Sequence, residues 1–329
     1  MNENDTTPPP KIILAGGTGF LGRRLQRVYI AAGYDVVVFS RHPESVTGPG
    51  RGVAWDPGKF GPWVKELEGA AAVVNLAGKN VNCRASKANR QAILKSRLNS
   101  VRALAEAARR CALPPAVWVQ AGSLAIYGDA GPLWCDETAP AGEGFAPEVC
   151  SKWEASFFKA PLPPMRRVFL RIGFVLGNEG GALPILAKLA KYFAGTPAGS
   201  GRQMISWIHA HDMDRIFLRA VTDPALEGVF NACTAGPVTN AEFMSELRTL
   251  YRRPWMPGLP PWMVKAAAWI MGSEGSLALT GRRGLPGRLM EAGFRFDYPA
   301  LSPALDELLL GPRFPLPMPM PEGLATAVR

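Results

Sequence analysis

The sequence predicts an α/β protein: a Rossmann-like, doubly wound parallel sheet with a smaller, mostly helical C-terminal lobe. Three observations predict it. Short apolar runs rich in Val, Ile and Leu alternate with helical patterns through the first half of the chain. Strands buried on both faces by crossover helices read this way. A glycine-rich turn stands at the first strand–helix junction. After about residue 175 the alternation weakens, and helical patterns separated by Gly and Pro take over.

Residues 11–15 (KIILA) read as the opening strand, 19–32 as a helix and 35–39 (DVVVF) as the second strand. A short third strand is expected at 53–55 and a fourth at 71–76. Residues 84–110 form a long helical stretch with Ile93, Leu94, Leu98, Val101 and Leu104 inward. A strand at 116–120, a helix at 147–158 and a strand at 167–172 follow. Helical patterns then appear at 183–193, 240–251, 261–271, 287–291 and 302–309. The expected organisation is a disordered segment at 1–10, a nucleotide-binding domain at 11–175 and a substrate-side lobe at 176–310. That lobe includes a small C-terminal domain at about 250–300, and a Pro-rich tail follows at 311–329.

Composition narrows the function. Of 329 residues, 47% are hydrophobic and 19% charged, so a sizeable core is expected and wholesale disorder is excluded. No apolar run reaches the ~18–20 residues of a membrane span, and residues 1–10 lack the basic and apolar regions of a secretory signal. Net charge is +10, with eight Lys or Arg against Glu106 in residues 84–110. These charges read as a solvated helix face. No nucleic-acid motif accompanies them, so no nucleic-acid partner and no membrane partner is expected. Five scattered cysteines without a CxxC pair and three histidines argue against disulfides and a metal centre. They favour a reducing compartment, taken as the cytoplasm.

The strongest local signal is AGGTGFLG at 15–22. Gly16, Gly19 and Gly22 follow a strand and open a helix. One glycine permits the tight turn, one admits a pyrophosphate to the backbone and one lets helix and sheet pack closely. The main chain of Phe20 and Leu21, in the first helical turn, presents N–H groups to phosphate. This spacing in this context predicts dinucleotide binding. An NAD site places an acid at the end of the second strand. Here that strand ends Phe39-Ser40-Arg41, and Asp35 lies at its other end. A hydroxyl and a guanidinium suit a 2′-phosphate, so NADP is expected over NAD. Arg23 or Arg24 is placed to assist. The alternative for Arg41 is a side chain in water.

At this point the residues resemble the extended, epimerase-like short-chain dehydrogenases/reductases. The resemblance rests on Asn75-Leu76-Ala77-Gly78, on SLAIYG at 123–128, on Lys152 in SKWE, on LRIGFVLG at 170–177 and on WIHAHDM at 207–213. More narrowly the chain resembles the atypical epimerase group 39U, through SKWE (151–154), GSGRQMISWIHAHD (199–212) and PGRLMEAGFRF (286–296). The resemblance implies a Ser that orients the substrate, a Tyr that passes a proton and a Lys, four residues later, on the nicotinamide ribose. Ser123 and Lys152 stand at two of these positions, but Glu148 stands where the Tyr belongs. The resemblance also implies that Asn75, Ala77 and Gly78 line the cofactor, with Gly173 and Val175 near the nicotinamide. It implies a structural role for His209 and Asp212.

On a helix, Glu148 and Lys152 lie one turn apart, and the lysine favours the ionised carboxylate. Three readings follow. Tyr127 serves as proton donor, Glu148 works as a base, or the protein binds the dinucleotide without turnover. For Tyr127 the alternative is a packed side chain with a satisfied hydroxyl. Nucleotide-sugar epimerases place an Arg where Ile205 stands here, so a smaller or more apolar molecule is expected rather than a nucleotide sugar. Arg202 and Trp207 are the candidate substrate contacts. The expected activity is an NADP-dependent oxidoreductase acting on a small carbonyl or hydroxyl compound. The rival is a non-catalytic regulatory or scaffold protein, and a homodimer is open for both.

Overall fold

The structure is a computed structural model and describes residues 8–311 apart from 271 and 273. Residues 1–7 and 312–329, where the disordered segment and Pro-rich tail were expected, lie outside the described residues. The nucleotide-binding layer opens with β1 (Lys11–Ala15), α1 (Phe20–Ala31), β2 (Asp35–Ser40), β3 (Arg51–Ala54) and β4 (Ala72–Asn75). It continues through α2 (Lys87–Arg109), β5 (Val117–Ser123), β6 (Trp134–Cys135), α3 (Phe145–Lys159) and β7 (Arg166–Ile172). Next come β8 (Phe174–Leu176), α4 (Leu183–Lys191), β9 (Met204–Ile205), β10 (Trp207–His209) and α5 (Ala210–Thr222). The chain then forms β11 (Gly228–Ala232), β12 (Val238–Thr239), α6 (Asn240–Leu250), α7 (Pro261–Ile270) and α8 (Ser276–Leu279). It closes with β13 (Arg283–Gly284), α9 (Gly287–Glu291) and α10 (Leu301–Leu310).

Among the described residues, seven strands form a parallel sheet in the order β11-β7-β5-β4-β1-β2-β3. Alternation of side chains divides its residues between two cores. Ile12, Leu14, Val36, Val38, Val74 and Val119 pack with Leu25 and Tyr29 of α1 and Met213 and Phe217 of α5. Ile13, Val37, Phe39, Val73 and Trp118 pack with Val101 and Leu104 of α2 and Trp153 and Phe157 of α3. This double burial is why the strands carry unbroken apolar runs. A third cluster joins α4, α6 and α10 through Leu183, Phe243, Leu247, Leu301 and Leu305, around Trp207.

The structure departs from the sequence reading in three places. α3 begins at Phe145, ahead of the expected start at Pro147; Gly144 at φ +104 makes the turn, and Pro147 sits in a first turn that needs no N–H there. The sheet takes its edge strand β11, and one face its helix α5, from beyond residue 175. A boundary at 175 therefore divides the chain but not the layers. The small C-terminal region returns to the sheet domain through β13, which pairs in parallel with β6.

Candidate cofactor and substrate site

β1 ends at Ala15, flanked by Phe39 and Asn75, where the strand order reverses. Ligands of open α/β sheets bind at such a switch point. Gly16 takes φ +77, and a Cβ there would lie 2.7 Å from the Ala77 Cα. At Gly22 a Cβ would lie 2.3 Å from the Gly17 carbonyl oxygen. Gly19 differs: its φ is −77, and nothing lies within 4 Å of its Cβ direction. Two glycines thus serve close packing, and the third leaves room before the helix. Gly19 caps α1 without a side-chain bond, and no acid stands in the first turn. The positive helix end is left for an anion, and the residues present fit a dinucleotide pyrophosphate. Phe20 packs on the loop after β8, where Cβ atoms at Gly177 and Gly180 would lie 2.3 and 2.8 Å from its side chain. Leu21 packs against the core, so both offer main chain rather than side chain to a ligand.

Ser40 is buried, with its Oγ 3.1 Å from both the N–H and the carbonyl of His42. Arg41 is exposed and has no hydrogen bond or ion pair among the described residues. Arg24 is not free to assist: it holds Asp214 at 2.7 and 3.0 Å. Arg23 donates to the Thr18 carbonyl at 3.0 Å and so braces the glycine turn. The Asn75 amide is consumed internally. Its Nδ2 donates to Gln120 Oε1 at 2.9 Å and Ser100 Oγ at 3.2 Å, and its Oδ1 accepts the Ala77 N–H at 3.0 Å. The side chain shapes the Ala77–Gly78 turn and has no polar atom left for a ribose. A Cβ at Gly78 would lie 3.3 Å from the Arg97 Cζ.

Ser123 ends β5, and its Oγ accepts the Ala125 N–H at 3.1 Å, opening a 3-10 turn over Leu124–Tyr127. Tyr127 turns inward and is 3% exposed. Its hydroxyl receives Arg171 Nη1 at 2.7 Å and lies 2.7 Å from the Asp136 carbonyl and 2.8 Å from Asn231 Oδ1. Burial, only partly offset by Arg171 and Asn231, pushes the phenol up to about 12. That geometry matches the packed alternative and opposes a proton donor in contact with substrate. Glu148 and Lys152 pair at 2.5 Å on α3, both more than half exposed.

Gly173 is pressed against the residue that precedes β10: a Cβ there would lie 2.6 Å from the Ser206 carbonyl oxygen. Val175 pairs with Ile208. Trp207 is fully buried in the third core cluster and donates its Nε1 to the Gly236 carbonyl at 2.9 Å, so it lines no substrate pocket. Arg202 is exposed. His209 caps α5, its Nδ1 accepting the His211 N–H at 3.1 Å, while Nε2 lies 3.0 Å from Glu307 Oε2. Burial first, then the charges of His211 and Arg24, lowers its pKa to about 3, so the ring is neutral and Nε2–H donates. Asp212 accepts the N–H groups of Asp297 and Tyr298. Both residues tie α5 to the C-terminal segment. The buried chain Glu154–Arg171–Tyr127–Asn231 escaped the sequence reading. Its signal was a lone Arg inside the apolar run at 168–172.

Residues 12–150 match the NAD dependent epimerase/dehydratase family, and residues 259–308 match a domain of unknown function (DUF1731). The "Epimerase family protein SDR39U1" of Bos taurus is 34% identical over 305 residues, covering 91% of this chain and 99% of that protein. The chain belongs to the SDR39U1 epimerase family. A chloroplastic SDR39U1 homolog of Arabidopsis thaliana is 32% identical over 308 residues, covering 91% of this chain and 86% of the plant protein. The crystal structure of human SDR39U1 (isoform 2) with NADPH superposes with a TM-score of 0.81 at 32% identity, covering 91% of this chain and 98% of that one. SDR39U1 members thus share the sheet domain and C-terminal segment found here. No helix among the described residues is long and apolar enough to cross a membrane.

Proposed function

We propose that this SDR39U1-family protein is an NADP-dependent oxidoreductase acting on a small carbonyl or hydroxyl compound. The observation that carries the reading is the β1–α1 turn: close-packed at Gly16 and Gly22, open at Gly19, and uncapped at the helix start. The free Arg41 beside it suits a 2′-phosphate, and human SDR39U1 was crystallised with NADPH. When bound, the nicotinamide supplies or accepts hydride. The Asn75-shaped Ala77–Gly78 turn and the segment from Gly173 to Val175 form the walls around it. Lys152 orients the ribose, and Ser123 hydrogen-bonds the reacting oxygen. Glu148 takes a proton from a hydroxyl substrate and returns it to a carbonyl in the reverse direction. The thiols favour a reducing compartment such as the cytoplasm, and a second copy is the proposed macromolecular partner.

One observation favours a second reading. The usual Tyr is absent at 148, and Tyr127 is committed to internal bonds, so a dinucleotide-binding regulatory or scaffold protein loses nothing by this arrangement. Turnover separates the two. NADPH consumption is followed with a panel of aldehydes, ketones and quinones, alongside calorimetric NADPH binding. The enzyme reading expects activity that falls in Ser123→Ala with NADPH affinity retained. NADPH binding without turnover on any panel member would leave the scaffold reading standing.

A further inference from the structure

We infer that the substrate carries one anionic group, a carboxylate or a phosphate monoester, and that Arg282 receives it. The inference rests on the oxidoreductase reading and adds the substrate class. The main chain around Arg282 is fixed from several sides. Its N–H donates to the Met204 carbonyl at 3.1 Å, and its carbonyl accepts Ser206 Oγ at 2.8 Å. The Gly281 N–H donates to Asp129 Oδ1 at 3.0 Å, and the Gly284 N–H to Ser206 Oγ at 2.7 Å. A Cβ at Gly284 would lie 2.9 Å from Leu124, the neighbour of Ser123. Ser206 in turn abuts Gly173. The C-terminal segment therefore delivers Arg282 beside the walls assigned to the nicotinamide and the reacting oxygen.

The guanidinium itself makes no hydrogen bond or ion pair among the described residues, although the residue is partly buried. Burial pushes its pKa down, with Cys150, Asp129 and Cys135 as the titratable groups acting on it. Cys150 is two residues from both Glu148 and Lys152. Burial pushes its thiol up to about 11, so it is neutral. The Cys135 thiol is raised in the same way. Asp129 is the carboxylate among them. It lies beyond ion-pair distance and uses Oδ1 on the Gly281 N–H. Arg97 acts on the same Cys150 from α2, packed 4.9 Å over Trp153. Glu154 and Arg171, which also act on Cys150, neutralise each other at 2.7 Å. Arg97 and Arg282 thus both act on Cys150 without a paired carboxylate, but Arg97 Nη1 donates to the Ile93 and Lys79 carbonyls at 3.0 and 3.1 Å, and Arg282 has no such acceptor among the described residues.

Several partly buried arginines elsewhere in the chain have acceptors, although the buried Nε of the neighbouring Arg283 has none among the described residues. Arg24 has Asp214, Arg171 has Glu154, and Arg166 has the carbonyls of Ala220, Val221 and Leu226. A partly desolvated guanidinium without acceptors is unfavourable for folding. It is retained where a ligand supplies the acceptor, and a planar fork matches carboxylate or phosphate oxygens two at a time. One guanidinium, with Ile205 in place of a second, suits a small acid and not a nucleoside diphosphate.

The test uses the full chain saturated with NADPH, so that the glycine turn and Arg41 are filled. Inorganic phosphate, 2-oxobutanoate and its neutral methyl ester are titrated calorimetrically. We expect one of the two anions to bind and the ester to bind at least about tenfold more weakly than its acid. The stronger of the two anions names the group. Arg282→Gln should weaken that anion about tenfold or more, keep NADPH affinity and raise the thermal midpoint of the ligand-free protein; Arg282→Lys should retain part of the binding. Equal anion affinity in wild type and Arg282→Gln, or binding of neither anion, overturns the assignment. Failure of NADPH to bind wild type would instead strike the oxidoreductase reading. The same titrations on ligand-free Arg41→Ala would then still decide for or against Arg282.

Discussion

Tyr127→Phe separates a structural tyrosine from a catalytic one. The substitution keeps the ring, which lies 5.3 Å from the Arg171 guanidinium, and removes the hydroxyl. That oxygen accepts one bond from a charged donor and has one proton for Asp136 O or Asn231 Oδ1. Arg171 keeps Glu154 and the Glu137 carbonyl at 3.1 Å, so its own loss is partial. Asn231 cannot turn to compensate, because its Nδ2 donates to the carbonyls of Cys135 and Leu285 at 3.0 and 2.9 Å. A bond to a charged group contributes about 1.5–3 kcal/mol, and a buried acceptor left without a donor costs about 1–3 kcal/mol. With partial relaxation at Arg171 the variant should lose about 2–4 kcal/mol. At about 2–4 °C per kcal/mol for domains of this order, the thermal midpoint should fall by about 5–15 °C. Urea and thermal unfolding measure the loss, and NADPH binding and turnover are followed below the new transition. Residual turnover should stay within a few-fold of wild type. An unchanged midpoint with turnover abolished would refute the structural assignment and restore Tyr127 as proton donor.

Arg41→Ala should weaken NADPH by about 1.5–3 kcal/mol and leave NADH almost unchanged; equal losses by calorimetry would mean that Arg41 never meets the 2′-phosphate. Gly19→Ala should leave the unfolding midpoint intact, since its Cβ meets nothing within 4 Å, yet weaken NADPH strongly. Unaltered affinity would place the pyrophosphate elsewhere. His209 has a folded pKa near 3, below the ordinary value of 6.5, so its contribution is full above about pH 6.5 and lost as pH falls toward 3. Replacing it in His209→Gln should flatten the decline of the urea midpoint between those pH values, and an unchanged slope would contradict the neutral, buried ring.

The sheet was legible because β1, β2, β4 and β5 are buried on both faces, and double burial writes itself as unbroken apolar runs. α5 and β11 were not. The inward side of α5 carries Asp212 and Asp214, buried and bonded to the Asp297 and Tyr298 N–H groups and to Arg24. Their charges break the stripe that pattern reading relies on. β11 is short and places Asn231 in the interior, where Tyr127 and two carbonyls satisfy it. In the site, Gly16 and Gly22 were legible because each answers a local steric demand, whereas Gly19 meets none. The fate of Trp207 and Tyr127 was not, because it depends on partners 29 and 104 residues away.

The Glu at 148 changes what Lys152 does at rest more than what it can do. Exposed pairs one helical turn apart contribute about 0.3–0.5 kcal/mol. Both members here are more than half exposed, so nothing in the surroundings raises that figure. A hydrogen bond from an ammonium to a ribose hydroxyl contributes about 1.5–3 kcal/mol. On these magnitudes the proposed ribose contact would draw the lysine from the carboxylate with most of its own gain intact. A tyrosine at the same place would leave that lysine unpaired. Release of Lys152 also removes the charge that holds Glu148, so a carboxylate freed at the moment of binding stands where a phenol would otherwise sit. The base chemistry proposed for Glu148 would therefore be conditional on the cofactor. For that reason a glutamate at 148 is compatible with the proposed oxidoreductase, in which Ser123 and Lys152 take the other two roles.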